Sequence, residues 1–296
     1  MDEKLRRLVD VPERFLDRLH RVQSEIFREA VRYIRQLEVG RDGRLLINRH
    51  NLRVLNEFGA WFRKVVDESS FYEEVRAFIR EFERQSGITR DFFAQEFGTV
   101  SIATVADDVL EMQKRQAAGL MLETIMDGRF RQEIESYVVN AMLGRSTFSE
   151  TLEGLQTIIT GDRELDGKLI QYSKQVAFDA FTIADRTYTQ TIAEGLGVEW
   201  YFYSGDLRAG SRPFCVQRSN KFFHKKEIED WAHLQWDGKR AGTNEKTIFQ
   251  FAGGYNCKHS ILPRSVFSVP KEVLMRNIDN GNFRPDEKLR RRLKLD

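Results

Sequence analysis

Between Pro12 and Pro213 the chain contains no proline, and this gap constrains the fold more than any other feature of the sequence. A proline in a helix interior costs about 3 kcal/mol, because it lacks the N–H and its ring meets the carbonyl one turn back. A proline-free run over 13–212 therefore suits one helix after another. The apolar spacing agrees. Phe15, Leu19, Val22, Ile26, Ala30, Ile34 and Leu37 recur every three or four residues and share one helical face. Asp10 and Glu13 have capping-box spacing, with Pro12 in the tolerant first turn, and Gly40 and Gly43 break the run. Further helices are expected over 52–66, and from a Ser70/Glu73 capping box through Val75, Phe78, Ile79 and Phe82 to a stop near Gly87. Another is marked by Ile102, Val105, Val109, Met112 and Leu120, and more are expected over 130–143, 147–159 and 166–196. The last carries apolar residues nearly all round (Leu169, Tyr172, Val176, Phe178, Phe181, Ile183, Tyr188), the pattern of a central, buried helix.

The texture changes at Gly197. The run 198–203 (VEWYFY) is short, β-branched and aromatic, and predicts a strand. One short helix is expected within KFFHKKEIEDWAHL, with Glu227, Glu229 and Asp230 on its solvent face. A strand ending in a turn is expected at TIFQFAGG, and another strand at NCKHSILPRSVFSVP. Gly253 and Gly254 form a tight turn, but strand-like residues rather than a helix follow, so phosphate cradling is not favoured. The fold class is mainly α with a small C-terminal α+β domain: long amphipathic helices, then a short-stranded module containing cysteines and histidines. The expected domains are 1–197 (helical), 198–270 (α+β) and 271–296 (a basic C-terminal tail), and the last stretch, 285–296, is expected to be a charged, mobile tail or a frayed helix.

Composition removes several classes. No run of about 18 apolar residues exists, so no spanning helix and no membrane partner are expected. The N-terminus lacks the apolar core of a secretory signal. Two cysteines in 296 residues cannot build a disulfide scaffold and suit a reducing cytosol. The net charge of +2 hides an asymmetry: residues 1–197 carry 28 Lys+Arg against 33 Asp+Glu, and residues 198–296 carry 19 against 12. The two parts are expected to face different partners.

Cys215, His224, Cys257 and His259 are candidate metal ligands. Alternate residues of a strand share a face, so Cys257 and His259 would point together, and four soft and imidazole donors suit tetrahedral zinc. The competing readings are buried thiols with locally bonded histidines, and a disulfide formed outside the cytosol. Asp206, Arg208 and Arg212 sit in a glycine-bearing loop and read either as solvated charges with one Asp–Arg pair, or as residues that bind an anion or orient the cysteine loop. His224, Asn244 and His259 have the residue types of a one-metal nuclease, but no carboxylate stands beside them, so no catalytic residue is assigned and an enzyme is not expected. Lys288, Arg290, Arg291, Arg292 and Lys294 form a basic run that could contact DNA phosphates or be a solvated face. Leu289, Leu293 and Leu295 could instead dock that run on a protein.

The run SRPFC (211–215), the segment NKFFHKKEIEDWAHLQWDGKRAGTNEKTIF and the close GGYNCKHSILP (253–263) together resemble the Mu F-like head morphogenesis proteins of tailed phages, also called minor capsid or minor head proteins. The similar region is 198–270. The resemblance implies a low-copy structural protein of the virion, at the portal vertex or inner capsid, made in the host cytoplasm. Its implied partners are the portal protein and the major capsid protein, and in some cases DNA. Many relatives carry Cys-x-x-Cys in the first loop and His-Pro-x-Cys-Arg-Cys at the close. Here Arg212 stands where the first loop cysteine would be, His259 replaces the final cysteine, and Gly254 stands near the relatives' histidine. That leaves Cys215, Cys257 and His259 aligned, with a fourth ligand to come from His224 or elsewhere. The alternative function is a metal-dependent nuclease or other effector enzyme carried in the head.

Overall fold

A computed structural model describes residues 2–98, 104–126 and 128–295. The helices are α1 (Asp2–Ile34), α2 (Arg49–Asn56), α3 (Phe58–Glu68), α4 (Phe71–Phe97), α5 (Thr104–Met126), α6 (Arg129–Leu143), α7 (Phe148–Thr160), α8 (Lys168–Gly195), α9 (Pro213–Arg218), α10 (Lys225–Trp231), α11 (Ile248–Phe251), α12 (Lys271–Asp279) and α13 (Glu287–Leu293). The strands β1 (Trp200–Ser204), β2 (Lys221–His224) and β3 (Ser260–Arg264) make one antiparallel sheet in the order β2-β1-β3. The fold is thus mainly α with a small α+β part near the C-terminus, as the pattern predicts. No helix among the described residues is long and apolar enough to cross a membrane.

The contacts group the chain into two compact units. Met1–Val9, Phe82–Gln113 and Asp179–Asp296 form one, and Asp10–Glu81 with Lys114–Phe178 the other. The division falls inside α1, α4, α5 and α8, rather than at the expected boundary of 197. The second half of α8 groups with the sheet because its polar side chains fasten the C-terminal module.

The unit of 10–81 and 114–178 is helical. Phe15, Leu19, Val22 and Ile26 are buried as the spacing predicts. Phe15 stacks on Phe78 with ring centroids 4.6 Å apart, and Tyr33 on Trp61 at 4.3 Å. Thr147 and Glu150 form a reciprocal capping box that starts α7. Several boundaries differ from expectation. Pro12 lies inside α1, which begins at Asp2, so Asp10 and Glu13 do not cap it. Burial of Leu8, Val11 and Phe15 on either side offsets the lost hydrogen bond. The 52–66 helix is two helices that break at Glu57. Ser70 gives both its N–H and its hydroxyl to Glu25, each at 2.8 Å, rather than sharing a box with Glu73. The helix after it runs through Gly87. Of the residues expected to mark α5, Ile102 lies outside the described residues, and Val105, Met112 and Leu120 are exposed. The buried face of α5 is instead Ala106, Leu110, Ala117, Met121 and Ile125.

The other unit carries a buried polar network. Lys4 Nζ donates to Thr89 Oγ1 at 2.7 Å and Thr189 Oγ1 at 3.1 Å, and pairs with Asp185; both charged side chains are 1% exposed. Gln85 Nε2 adds a bond to Asp185 Oδ1 at 3.0 Å. Burial pushes the Lys4 amine below its ordinary pKa, and Asp185 works against the shift.

Through its described residues the 285–296 stretch holds α13 and is not a mobile tail. Leu274 of α12 and Leu289 and Leu293 of α13 are buried in one cluster with Trp200 and Val269. The spacing of Leu289 and Leu293 puts both on one side of α13, which the surrounding arginines obscure in the sequence.

Two outcomes follow for unfolding by denaturant. Leu289→Ala lowers stability by about 2–5 kcal/mol, the cost of emptying a core site, whereas a solvated tail would show no change. Asp185→Ala lowers it by about 3–5 kcal/mol, because Lys4 is left buried without its counter-charge.

Candidate metal centre

The first donor comes from α9. Pro213 stands at the start of this short helix, where its missing N–H costs nothing, and Cys215 follows, 2% exposed. The other donors come from the loop between α11 and β3. TIFQFAGG holds α11 rather than the expected strand, and the chain then turns sharply, with positive φ at Ala252 (46°), Gly254 (99°) and Asn256 (53°). A side chain at Gly254 would meet the Gly238 carbonyl oxygen at 1.9 Å, so only glycine fits. Cys257 and His259 lie just before β3 and are each 4% exposed.

Residues far away in sequence hold this loop. Arg186 of α8, itself buried, donates through Nη2 to the carbonyls of Cys257 and His259, the latter at 2.6 Å, and through Nη1 to that of Gln250 at 3.2 Å. Asp179 accepts from the Asn256 N–H at 3.2 Å and from Arg240 at 2.8 Å. Arg212 donates to the Tyr255 carbonyl at 2.7 Å, and Trp236 Nε1 to the Gly253 carbonyl at 3.0 Å. Arg212 is therefore a tether of this loop rather than a solvated charge. The sequence marks Asp179 and Arg186 only faintly for this role, because they sit in a helix read as apolar. Two charges within such a helix were the available signal.

Cys215, Cys257 and His259 converge. Their donor atoms all lie within 4.8 Å of one another. The two Sγ atoms are 4.0 Å apart, and Cys257 Sγ is 3.9 Å from His259 Nδ1. Both cysteines are free. Metal–sulfur bonds of about 2.3 Å set tetrahedral edges of roughly 3.8 Å, so these separations fit a shared cation. The hydrogen bond from Cys215 holds the Cys257 thiol well below its ordinary pKa, aided by His259 and Arg186 against the effect of burial. The same bond, with burial, pushes the Cys215 thiol up. The buried group could hold a metal ion.

His224 does not join it. It pairs with Trp200 at the opposite end of β1 from Tyr203, which pairs with Lys221. Its Nδ1 accepts the Lys226 N–H at 3.2 Å, and its own N–H donates to Glu227 at 2.8 Å, a capping box that starts α10. Glu227 is thus not on a solvent face; it also accepts from Arg276 at 2.9 Å and Asn277 at 3.1 Å. Asn244 closes its own turn, accepting the N–H groups of Lys246 and Thr247. The basic candidates Lys288, Arg290, Arg291, Arg292 and Lys294 lie on or at the end of α13. Arg291 pairs with Glu287, Arg292 donates to the Phe267 carbonyl at 3.1 Å, and Lys288 and Arg292 both sit over the Phe267 ring.

His224 makes a pH prediction. Burial lowers its pKa from 6.5, with Glu199 and Glu227 opposing. The neutral ring is therefore favoured in the folded state, and stability present above 6.5 is lost as pH falls through the depressed folded value. Protonation also removes the acceptor that caps α10. His224→Asn keeps a capping oxygen and cannot titrate, so its unfolding midpoint should fall less between pH 7 and pH 5 than that of the unsubstituted chain.

Compared with protein-family models, with curated proteins and with solved structures, the chain matches none.

Proposed function

We propose that this chain is a structural, non-enzymatic minor head protein of a tailed phage, of the Mu F-like kind. In this reading it associates with the portal protein and the major capsid protein during assembly and is a component of the virion. One observation carries it: the separated runs that bear the resemblance meet in a single cluster around the buried Cys215, Gly253, Cys257 and His259. Cys215 and Arg212 come from the first run, Trp236 from the middle segment, and Gly253, Tyr255, Cys257 and His259 from the close. A closed knot built from these runs suits architecture. Burial also weighs against the nuclease alternative, because a reacting metal needs an open position for water or substrate, whereas structural sites are closed.

In the same reading the cluster holds structural zinc. Two thiolates and an imidazole match the softness and tetrahedral preference of that ion. The lysine and arginines that α13 turns outward, opposite Leu289 and Leu293, offer a place for DNA phosphates within the capsid.

The test is co-assembly of the full chain with portal and major capsid proteins. Co-sedimentation with portal-containing proheads is expected, together with about one zinc per chain by elemental analysis. A chelator should lower the melting temperature, and Cys257→Ser should remove the chelator's effect. Failure to enter the particles, or nicking of plasmid by the purified chain, would overturn the reading.

A further inference from the structure

We propose that the Tyr203 hydroxyl supplies the fourth donor of the metal centre, closing a cage of two thiolates, an imidazole and a phenolate around a divalent cation, in the place the sequence suggested for His224. The inference rests on the metal reading above and goes beyond it by identifying the missing ligand.

Tyr203 is fully buried on β1, at the sheet's central strand. Its hydroxyl lies 3.3 Å from Cys215 Sγ and 3.9 Å from Cys257 Sγ, so it spans both sulfurs at the edge lengths a shared tetrahedral cation requires. Its ring stacks on His259 with centroids 5.3 Å apart, which brings phenol and imidazole to the same side of the sulfur pair.

The main chain also closes on this group. A side-chain carbon placed on Gly253 would fall 2.4 Å from Cys215 Sγ, 2.9 Å from Cys257 Sγ and 3.2 Å from the Tyr203 hydroxyl, too close to both sulfurs for any other residue. The backbone at Gly253 has no positive φ that would demand glycine, unlike that of Gly254, so it is the donors packed against it that exclude a side chain.

Charge balances as well. Each thiol and the phenol gives up its proton to solvent as its bond to the cation forms. Two thiolates and a phenolate on a divalent cation leave one net negative charge, and the buried Arg186 guanidinium on the Cys257 and His259 carbonyls supplies the compensating positive one.

The experiment strips the full-length chain with chelator and titrates it with zinc, following bound metal and the near-ultraviolet difference band of an ionised phenol. The unsubstituted chain should bind one zinc with that band. Tyr203→Phe should lose the band and bind more than about 100-fold more weakly, beyond the 10–100-fold that losing an outer-shell partner costs. Gly253→Ala should weaken zinc binding while keeping its helical circular dichroism, because its methyl would press on both sulfurs and displace them; if it fails to fold, Tyr203→Phe decides alone. No ionisation band in the unsubstituted chain, or a smaller loss of affinity in Tyr203→Phe, makes Tyr203 an outer hydrogen-bond donor and overturns the inference while the metal reading stands. If the unsubstituted chain binds no zinc, both fall.

Discussion

The Arg186 guanidinium organises the C-terminal module. It is buried, and the partners it finds among the described residues are the carbonyls of Gln250, Cys257 and His259. A cation taken out of water costs several kcal/mol unless its donors are met, so the loop that offers those carbonyls is held to one shape. That shape sets Cys257 and His259 against Cys215. The loop is therefore positioned from α8, and the module is not separable from the helix that precedes it.

The same logic runs through the rest of this unit. Asp179, about two turns before Arg186 on the same helix, ties Asn256 and Arg240. Asp185 receives Lys4, with threonines and a glutamine completing the shell. Glu96 is pushed up by burial, but the Ser265 N–H, the Ser268 hydroxyl and Arg264 outweigh this and hold it below the usual carboxylate range. Each buried charge is matched by donors or acceptors from a distant part of the chain. Such matched contacts contribute less to net stability than to selecting one arrangement, since a shifted register would leave a charge unpaired.

Much of this was hidden from one-dimensional reading for a common reason. Hydrophobic spacing reports which face of a helix is apolar, and it located the buried face of α1 correctly. It failed on α5, where Ala106, Leu110, Ala117, Met121 and Ile125 form the packed face while Val105, Met112 and Leu120 face outward. It read α8 as an apolar core helix and passed over Asp179, Asp185 and Arg186, because a charge in an apolar stretch has no partner visible along the chain. The tail misled in the opposite way: its arginines suggested solvent, while Leu289 and Leu293 between them pack on Trp200.

By itself the sequence determined the class of fold. The absence of proline over 13–212 and the three- to four-residue apolar spacing require helices, and the aromatic, β-branched run after Gly197 requires a strand, because both are local consequences of backbone geometry. It also supplied Cys215, Cys257 and His259 as donors. Only the tertiary structure decided that His224 caps a helix instead of joining them, that Tyr203 stands over the sulfur pair, and that α8 carries the residues that hold the loop. Those are distances between residues tens of positions apart, set by strand register and by where buried charges find partners, and no local rule of the chain contains them.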